Sequence, residues 1–209
     1  MPKAISTDPA AVLIKAADAL AQQLAPMRFA APVHTVYNPL VYARAMHAAY
    51  VQRFAKPGIT ALLLGMNPGP FGMTQTGIPF GEVGAVRDWL GLSEPIGKPA
   101  IEHPKRLIEG LSCAKSEVSG RRLWGLCKSR FGTPEAFFAQ HYIANYCPLA
   151  FVEESGANLT PDHLPVAEMA PVEAACDAHL ITLVRTLQPK WVVGIGAFAT
   201  QRAEAANQE

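Results

Sequence analysis

The chain has 209 residues, of which 50% are hydrophobic and 17% are charged, and its formal net charge is +1. This composition excludes a mostly disordered chain, because disordered segments combine low hydrophobicity with a high net charge. No run of about eighteen apolar residues occurs, so we expect no membrane-spanning helix. The length predicts a single domain over residues 1–209, and the lack of an apolar signal core in residues 1–9 predicts an intracellular protein.

The first predicted elements are two helices separated by a connector. Apolar residues recur at helical spacing over residues 9–26, where Asp8 is the expected N-cap and proline follows at the first helical position. Residues 29–40 are rich in turn-forming residues, and we expect an irregular connector there. A helical pattern resumes over residues 41–54 and predicts a second helix. The Pro-Gly pair that follows closely is expected to end it.

Three short apolar runs predict buried parallel strands, at residues 59–66, 142–148 and 191–195. Helical patterns lie between these runs, over residues 81–90, 120–130, 134–140 and 166–187. Strands that alternate with helices predict an α/β fold with a mostly parallel central sheet flanked by helices on both faces. Ligands of such sheets bind beyond the carboxyl ends of the strands.

The pocket loop, residues 65–83, follows the first predicted strand and contains five glycines and three prolines. Prolines make a backbone rigid and glycines let a ligand approach it closely, so this composition predicts a fixed pocket wall. A simple turn is the alternative, but nineteen residues exceed what a turn needs. The loop has no lysine and the chain has no GxxxxGK[ST] pattern, which excludes the phosphate-binding loop of nucleotide triphosphatases.

Two sets of side chains are expected to be buried. The cysteines lack a CxxC pair and are widely spaced, which predicts buried free thiols rather than disulfides, at Cys113, Cys127, Cys147 and Cys176. An iron–sulfur cluster is the less favoured alternative. The tryptophans are expected in the core, at Trp89, Trp124 and Trp191.

Charge is unevenly distributed along the chain. Residues 98–130 contain eight basic side chains against three acidic ones, a net charge of +5. Residues 150–209 contain three basic side chains against eight acidic ones, a net charge of −5. This asymmetry predicts one basic face that meets a polyanion, and a merely solvated helix face is the alternative.

Seven sequence blocks carry a more specific signal, and the most distinctive is Gly-Met-Asn-Pro-Gly-Pro-Phe-Gly-Met at residues 65–73. No general structural reason makes that order of residues recur. The blocks occupy residues 36–40, 65–83, 86–91, 102–106, 116–120, 145–149 and 158–161. From about Phe29 to Ala206 the chain therefore resembles the single-strand-selective monofunctional uracil-DNA glycosylase family.

The resemblance implies a uracil-DNA glycosylase-like fold and a DNA-repair enzyme that hydrolyses the bond between uracil and deoxyribose. The base is flipped out of the strand into a pocket, and 5-substituted uracils such as 5-hydroxymethyluracil are implied as further substrates. We expect DNA as the partner, no metal or cofactor, a monomer, and a cytoplasmic location in a bacterium or a nuclear one in a eukaryote. The lack of a lysine in the pocket loop agrees with a monofunctional enzyme.

The resemblance assigns roles to five residues of the predicted pocket. Asn67 matches the catalytic residue that orients the attacking water, and Phe80 matches the aromatic that stacks on the flipped base. Asn145 matches the residue that reads the edge of the base, and Met66 and Gly69 match positions around it. A strand-end cap for Asn67 and a purely structural amide for Asn145 are the alternatives.

The expected DNA-facing side chains lie in the basic segment, at Lys105, Arg106, Arg121 and Arg122. The family's terminal His-Pro-Ser-Pro motif does not occur between Met1 and Glu209, so no histidine is given a catalytic role. We expect that residues beyond Glu209 are missing or were removed, because residues 191–195 would otherwise leave a sheet edge exposed; a natural short variant is the third explanation. The competing function is a DNA- or base-binding relative with weakened turnover.

Overall fold

The computed structural model of the protein describes residues 8–206, which form helices and short strands in alternation. The strands are β1 (Val33–Tyr37), β2 (Ala61–Gly65), β3 (His141–Asn145), β4 (Ala150–Glu153), β5 (Asn158–Leu159) and β6 (Trp191–Gly194). The α-helices are α1 (Pro9–Leu24), α2 (Pro39–Tyr42), α3 (Arg44–Phe54), α4 (Met73–Thr76), α5 (Val118–Phe131), α6 (Pro134–Phe138), α7 (Val166–Leu187) and α8 (Ala197–Ala206).

The strands form two separate three-stranded sheets. The first has the order β3-β2-β6 and is parallel throughout. The second has the order β1-β4-β5 and is antiparallel. Helix α8 packs against β2 and β6, and α6 packs against β3. The predicted α/β class is confirmed, and the second sheet is an addition that the sequence did not predict.

The strands of the parallel sheet are the three predicted from the apolar runs. The β2 side chains Ala61, Leu62 and Leu64 are buried, as expected for a central strand. The edge strand β6 differs, because Trp191 is 68% exposed and Val193 is 44% exposed. The expectation that Trp191 lies in the core is therefore wrong, whereas Trp124 is buried as predicted.

The predicted connector over residues 29–40 is wrong, because it contains β1. This strand pairs with β4, and Tyr37 lies opposite Ala150 in the antiparallel ladder. The prolines and asparagine that indicated an irregular segment lie outside the strand, at Pro32, Asn38 and Pro39. Asn38 begins α2 instead, and its side chain accepts a hydrogen bond from the backbone amide of Leu40 at 3.2 Å.

Most predicted helices are confirmed with small changes at their ends. Helix α7 has the predicted bounds, and α1 ends at Leu24 rather than two residues later. The helix predicted over residues 41–54 is split into α2 and α3. The helix predicted over residues 81–90 is reduced to a π-helical segment at Ala85–Leu90.

Helix α1 begins as its sequence predicts. The Asp8 carboxylate accepts a hydrogen bond from the backbone amide of Ala10 at 3.0 Å, which satisfies one of the free amides of the first turn. The apolar face of α1 packs against α3 and α7.

The absence of a signal core was inferred partly from residues 1–7, which lie outside the described residues. Over residues 8–206, no helix is both long and apolar enough to cross a membrane.

Candidate active site

The candidate site lies where β2 and β3 end side by side. Gly65 and Asn145 are the last residues of these strands and are partners in the parallel ladder. The ladder continues into the following loops, because the amide of Tyr146 donates to the Gly65 carbonyl at 2.8 Å and that of Cys147 donates to the Met66 carbonyl at 2.9 Å. The start of the pocket loop is thereby fixed against residues 145–149.

Asn67 is half-buried and its amide group is held in one orientation. Its Nδ2 donates a hydrogen bond to the backbone carbonyl of Leu149 at 3.1 Å. The side chain can therefore present Oδ1 as an acceptor at the end of β2. An acceptor of this kind can hold a water molecule by one of its hydrogens.

Asn145 and Phe80 meet at Gly65. A Cβ atom added to Gly65 would lie 2.5 Å from Asn145 Oδ1 and 2.5 Å from Phe80 Cε2, so only glycine leaves room for both side chains. The amide nitrogen of Asn145 donates to the thioether sulfur of Met73 at 3.3 Å. The structure therefore places an amide and an aromatic ring together at the end of β3.

The backbone of Phe80 has an unusual conformation, with φ at +54°. Such a conformation is costly for a residue with a side chain and needs support from its surroundings. The Phe80 carbonyl accepts hydrogen bonds from the Trp124 indole at 3.0 Å and from the Glu82 amide at 2.7 Å. Gly120 of α5 approaches the same carbonyl so closely that a Cβ there would overlap it.

Gln75 joins the pocket loop to the basic segment and was missed in the sequence analysis. Its Nε2 donates to the carbonyls of Pro70 and Leu107 at 3.1 and 3.0 Å. Its Oε1 accepts from the amides of Glu109 and Gly110 at 2.8 and 3.1 Å. The side chain is buried and fully hydrogen-bonded, so it holds these two segments together.

Gly69 lies in the loop as expected, but its neighbour is a carboxyl group that the sequence analysis did not single out. A Cβ at Gly69 would lie 2.7 Å from Glu117 Oε1, and one at Gly72 would overlap the same carboxyl group. Burial raises the pKa of Glu117 above its ordinary value, and the nearby Gly120 amide acts in the opposite direction. The repeated glycines of the loop were the sequence feature that could have indicated another side chain packed closely against the loop backbone.

The four predicted DNA-facing residues occupy three places. The Arg106 guanidinium stands over the ring of Phe71 in the pocket loop, 5.4 Å from its centroid. Lys105 is exposed and donates to the Ser155 carbonyl at 3.2 Å, while Arg121 and Arg122 are exposed on α5. None of the ion pairs between described residues includes these four side chains.

One cation at the loop was missed. The Lys115 ammonium lies 5.0 Å from the centroid of Phe71, so two cations stand over one ring of the pocket loop. Lys115 belongs to the basic segment 98–130, and its position beside an aromatic was not visible from the charge pattern. Arg106 and Lys115 therefore lie at Phe71 of the pocket loop, whereas Lys105 lies near the turn between β4 and β5.

Two partly exposed histidines, His47 and His179, line a cavity that Asn145 also lines. This cavity has a volume of about 30 Å³, and Met73 is another of its lining residues. Burial lowers the pKa of both histidines, that of His179 to about 4, so both are neutral near pH 7. His47 contacts the Gly77 carbonyl of the pocket loop through Nδ1 at 3.0 Å.

The cysteines are free and buried, as predicted. A hydrogen bond with Cys147, together with burial, raises the pKa of Cys176 well above its ordinary value. Across residues 8–206, no group of three or more histidine, cysteine or acidic side chains is arranged to hold a metal ion.

Comparison with known proteins places this arrangement in a family. The family model of the uracil DNA glycosylase superfamily matches residues 52–208. The solved structure titled "The crystal structure of WT Pedobacter heparinus SMUG2" has a TM-score of 0.54 and 18% sequence identity, and the alignment covers 94% of this chain and 81% of that one. At 18% identity, this similarity shows that the two proteins share a fold and nothing about function.

The chain therefore belongs to the uracil DNA glycosylase superfamily. Within it, the chain is 48% identical over 184 residues to the single-strand selective monofunctional uracil DNA glycosylase of Mus musculus, an alignment that covers 88% of this chain and 66% of that protein. It is also 48% identical over 187 residues to the protein of the same name from Bos taurus, with 90% and 69% covered. The resemblance drawn from the sequence is confirmed. The chain spans about two thirds of the length of these relatives.

Proposed function

We propose that this protein removes uracil from DNA by hydrolysing its bond to deoxyribose. The observation that carries the proposal is that Asn145 and Phe80 meet at Gly65, the last residue of β2, and that Asn67 follows two residues later with its amide fixed by Leu149. These side chains suit three tasks of such a reaction: orienting water, reading the base and stacking on it. The names of the mouse and bovine relatives support the same activity.

Asn67 is proposed to orient the attacking water. Its Nδ2 donates to the Leu149 carbonyl, so Oδ1 is the atom that accepts a hydrogen bond from water. That hydrogen bond orients the water so that a lone pair of the water oxygen points at the anomeric carbon. A neutral amide is a weak base, and the reaction must therefore rely on a sugar that has already developed positive charge when water attacks.

Asn145 is proposed to read uracil through one donor and one acceptor. Uracil presents a carbonyl oxygen next to an imide N–H, which match the amide's N–H and C=O groups. Cytosine has the opposite pattern on this edge and would need the amide turned over. The Met73 sulfur accepts a hydrogen bond from Nδ2, which opposes that turn because it would place two acceptors together.

The remaining residues of the pocket are proposed to hold the flipped base and its strand. Phe80 stacks on the base, a contact worth about 1–3 kcal/mol, while Met66 and Gly69 line its surroundings. Substrates extend to 5-substituted uracils such as 5-hydroxymethyluracil. The DNA-facing charges are proposed to lie at Lys105, Arg106, Arg121 and Arg122, which contact phosphates of the strand.

A single-turnover assay on a single-stranded oligonucleotide with one uracil tests the proposal. Hot alkali after the reaction cuts the strand wherever a base has been lost. We expect cutting only after alkali, and we expect Asn67→Ala to reduce the rate by at least about 100-fold because the water is no longer oriented. A parallel oligonucleotide with 5-hydroxymethyluracil tests the wider substrate range.

Two results would contradict the proposal. An unchanged rate of uracil release by Asn67→Ala would show that Asn67 does not take part in the reaction. Tight binding of the uracil oligonucleotide with no release over a long incubation would instead support the alternative of a binding protein with weakened turnover. Asn158→Ala is a matched control, because Asn158 is an exposed asparagine on β5 and should leave the rate unchanged.

A further inference from the structure

Glu117 is a carboxyl group packed against the pocket loop. It is the N-cap residue of α5, and its carboxyl group lies beside the backbone amide of Gly120 in the first turn, although the side chain forms no regular capping hydrogen bond. The carboxyl oxygens occupy the space where Gly69 and Gly72 would carry side chains. Both glycines belong to the pocket loop and follow Asn67 by two and five residues, so the carboxyl group packs against the same loop that carries the residue proposed to orient water.

The charge of this group has no cationic partner among the described residues, and the backbone amide of Gly120 is the group that favours its ionised form. Glu117 Oε2 is buried and has no hydrogen-bond partner among the described residues. None of the ion pairs between these residues includes Glu117. Glu82 is the titratable group whose charge acts on it, and that charge is also negative.

A partly buried carboxylate without a cationic partner costs folding free energy, because water solvates the charge far better than the protein interior does. A glutamine or an apolar side chain would fill the same space at a lower cost. Two positions of the loop are also glycines whose missing side chains leave room for the carboxyl group. These features are typical of a charge that is retained for use at a functional site.

We propose that the Glu117 carboxylate supplies negative charge that stabilises the positively charged sugar of the transition state. This inference rests on the proposed function. The sugar becomes positive as the bond to the base breaks, and Asn67 carries no charge to offset it. A fixed charge in a water-poor site acts at a distance without touching the sugar, because a low dielectric weakens its field less than water does. Glu117 forms no bond in the reaction.

The raised pKa of Glu117 makes the stability of the folded protein depend on pH, which can be measured. The folded protein binds this proton more tightly than the unfolded chain, so ionisation of Glu117 destabilises the fold as the pH rises through the raised pKa. Below the ordinary pKa of a glutamate both states are protonated and the penalty is gone. A glutamine at position 117 avoids the penalty at every pH.

The test compares the Glu117→Gln variant with the unchanged protein, both as 209-residue chains. Under single turnover we expect the variant to release uracil about tenfold more slowly, with unchanged affinity for the uracil strand. Its melting temperature near pH 7.5 should be at least that of the unchanged protein. Lowering the pH should slow the unchanged protein as Glu117 is protonated, and the variant should lack that dependence. Glu109→Gln removes an exposed carboxylate of the same basic segment and should alter none of these values.

A purely structural role gives a different pattern. If Glu117 only braces the loop, Glu117→Gln keeps the wild-type rate, or it loses rate and melting temperature together; either result would overturn the proposal. If the unchanged protein releases no uracil, the proposed function fails. The melting comparison then still shows whether Glu117 is an unpaired charge, so the two failures can be told apart.

Discussion

Asn67 and Asn145 show how two side chains of one type are given different tasks by their neighbours. Asn67 donates to a backbone carbonyl and keeps its oxygen for a water molecule. Asn145 donates to the soft sulfur of Met73, a weak acceptor, and keeps both its oxygen and one N–H for a base. In each case the hydrogen bond to the protein decides which atoms remain for the ligand.

Met73→Leu tests whether the sulfur fixes the amide of Asn145. Leucine fills a similar volume but accepts no hydrogen bond, so the amide becomes free to turn and to match cytosine. We expect uracil release to change little and the preference for uracil over cytosine to fall about three- to tenfold. The measurement is release from paired oligonucleotides that differ only in this base.

Met46→Leu is the matched control for this change, because Met46 is also buried but lies on α3. The variant should retain the full preference for uracil. An undiminished preference in Met73→Leu as well would show that the orientation of the Asn145 amide does not depend on the sulfur.

The family resemblance assigned Asn67, Phe80 and Asn145 to the pocket, and the structure brings Asn145 and Phe80 together at Gly65, while the roles of all three stay predictions. The residues that support this region were not predicted from the sequence. Asn145 also interrupts an apolar run, which is a local signal. Glu117 and Gln75 give no such signal, because their importance comes from packing against segments more than thirty positions away along the chain. The pairing that brings Gly65 beside Asn145 likewise depends on the order of the strands in the sheet.

At the scale of elements, the parallel sheet was predictable and the antiparallel sheet was not. The strands of the parallel sheet lie in apolar runs, as is typical of parallel sheets, although side chains of the edge strand β6 are exposed. β1 and β5 are only partly buried, and β1 lies between turn-forming residues that dominate the local pattern. Short, half-exposed strands gain their order from pairing with β4, a long-range interaction that no local window contains.

The link between the pocket loop and the basic segment gives a prediction at this scale. Gln75→Ala leaves two carbonyls and two amides of these segments without their partner, at Pro70, Leu107, Glu109 and Gly110. Because these hydrogen bonds are buried or partly buried, we expect the free energy of unfolding to fall by about 3 kcal/mol. Urea denaturation measures this change.

Gln52→Ala on α3 provides the comparison, because Gln52 is exposed and its removal should alter the free energy of unfolding by less than about 0.5 kcal/mol. An equally small effect of Gln75→Ala would show that the two segments are held together by other contacts.

At the scale of the whole molecule, the charge pattern and the pocket fit one description. The basic segment contributes Arg106 and Lys115 beside Phe71, and the acidic residues concentrate in the last third of the chain. This pattern predicts that a polyanion is attracted to the side of the molecule that carries the pocket loop, even though the net charge is only +1.

Arg106→Gln tests whether this side meets phosphate. Each phosphate contact with single-stranded DNA contributes about 0.7 to the slope of log affinity against log salt. We expect the slope for a uracil oligonucleotide to become shallower by about that amount. Lys15→Gln on the exposed side of α1 should leave it unchanged. A slope that Arg106→Gln does not alter would place the strand elsewhere.

The most direct test of the account is the intact mass of a single-uracil strand after reaction with this protein. Hydrolysis of the bond to the base predicts an uncut strand that has lost the mass of uracil and gained that of one water molecule, together with free uracil. The same strand incubated with Asn67→Ala should keep its original mass. A strand broken at the uracil without alkali, or one whose mass never changes, would contradict the account.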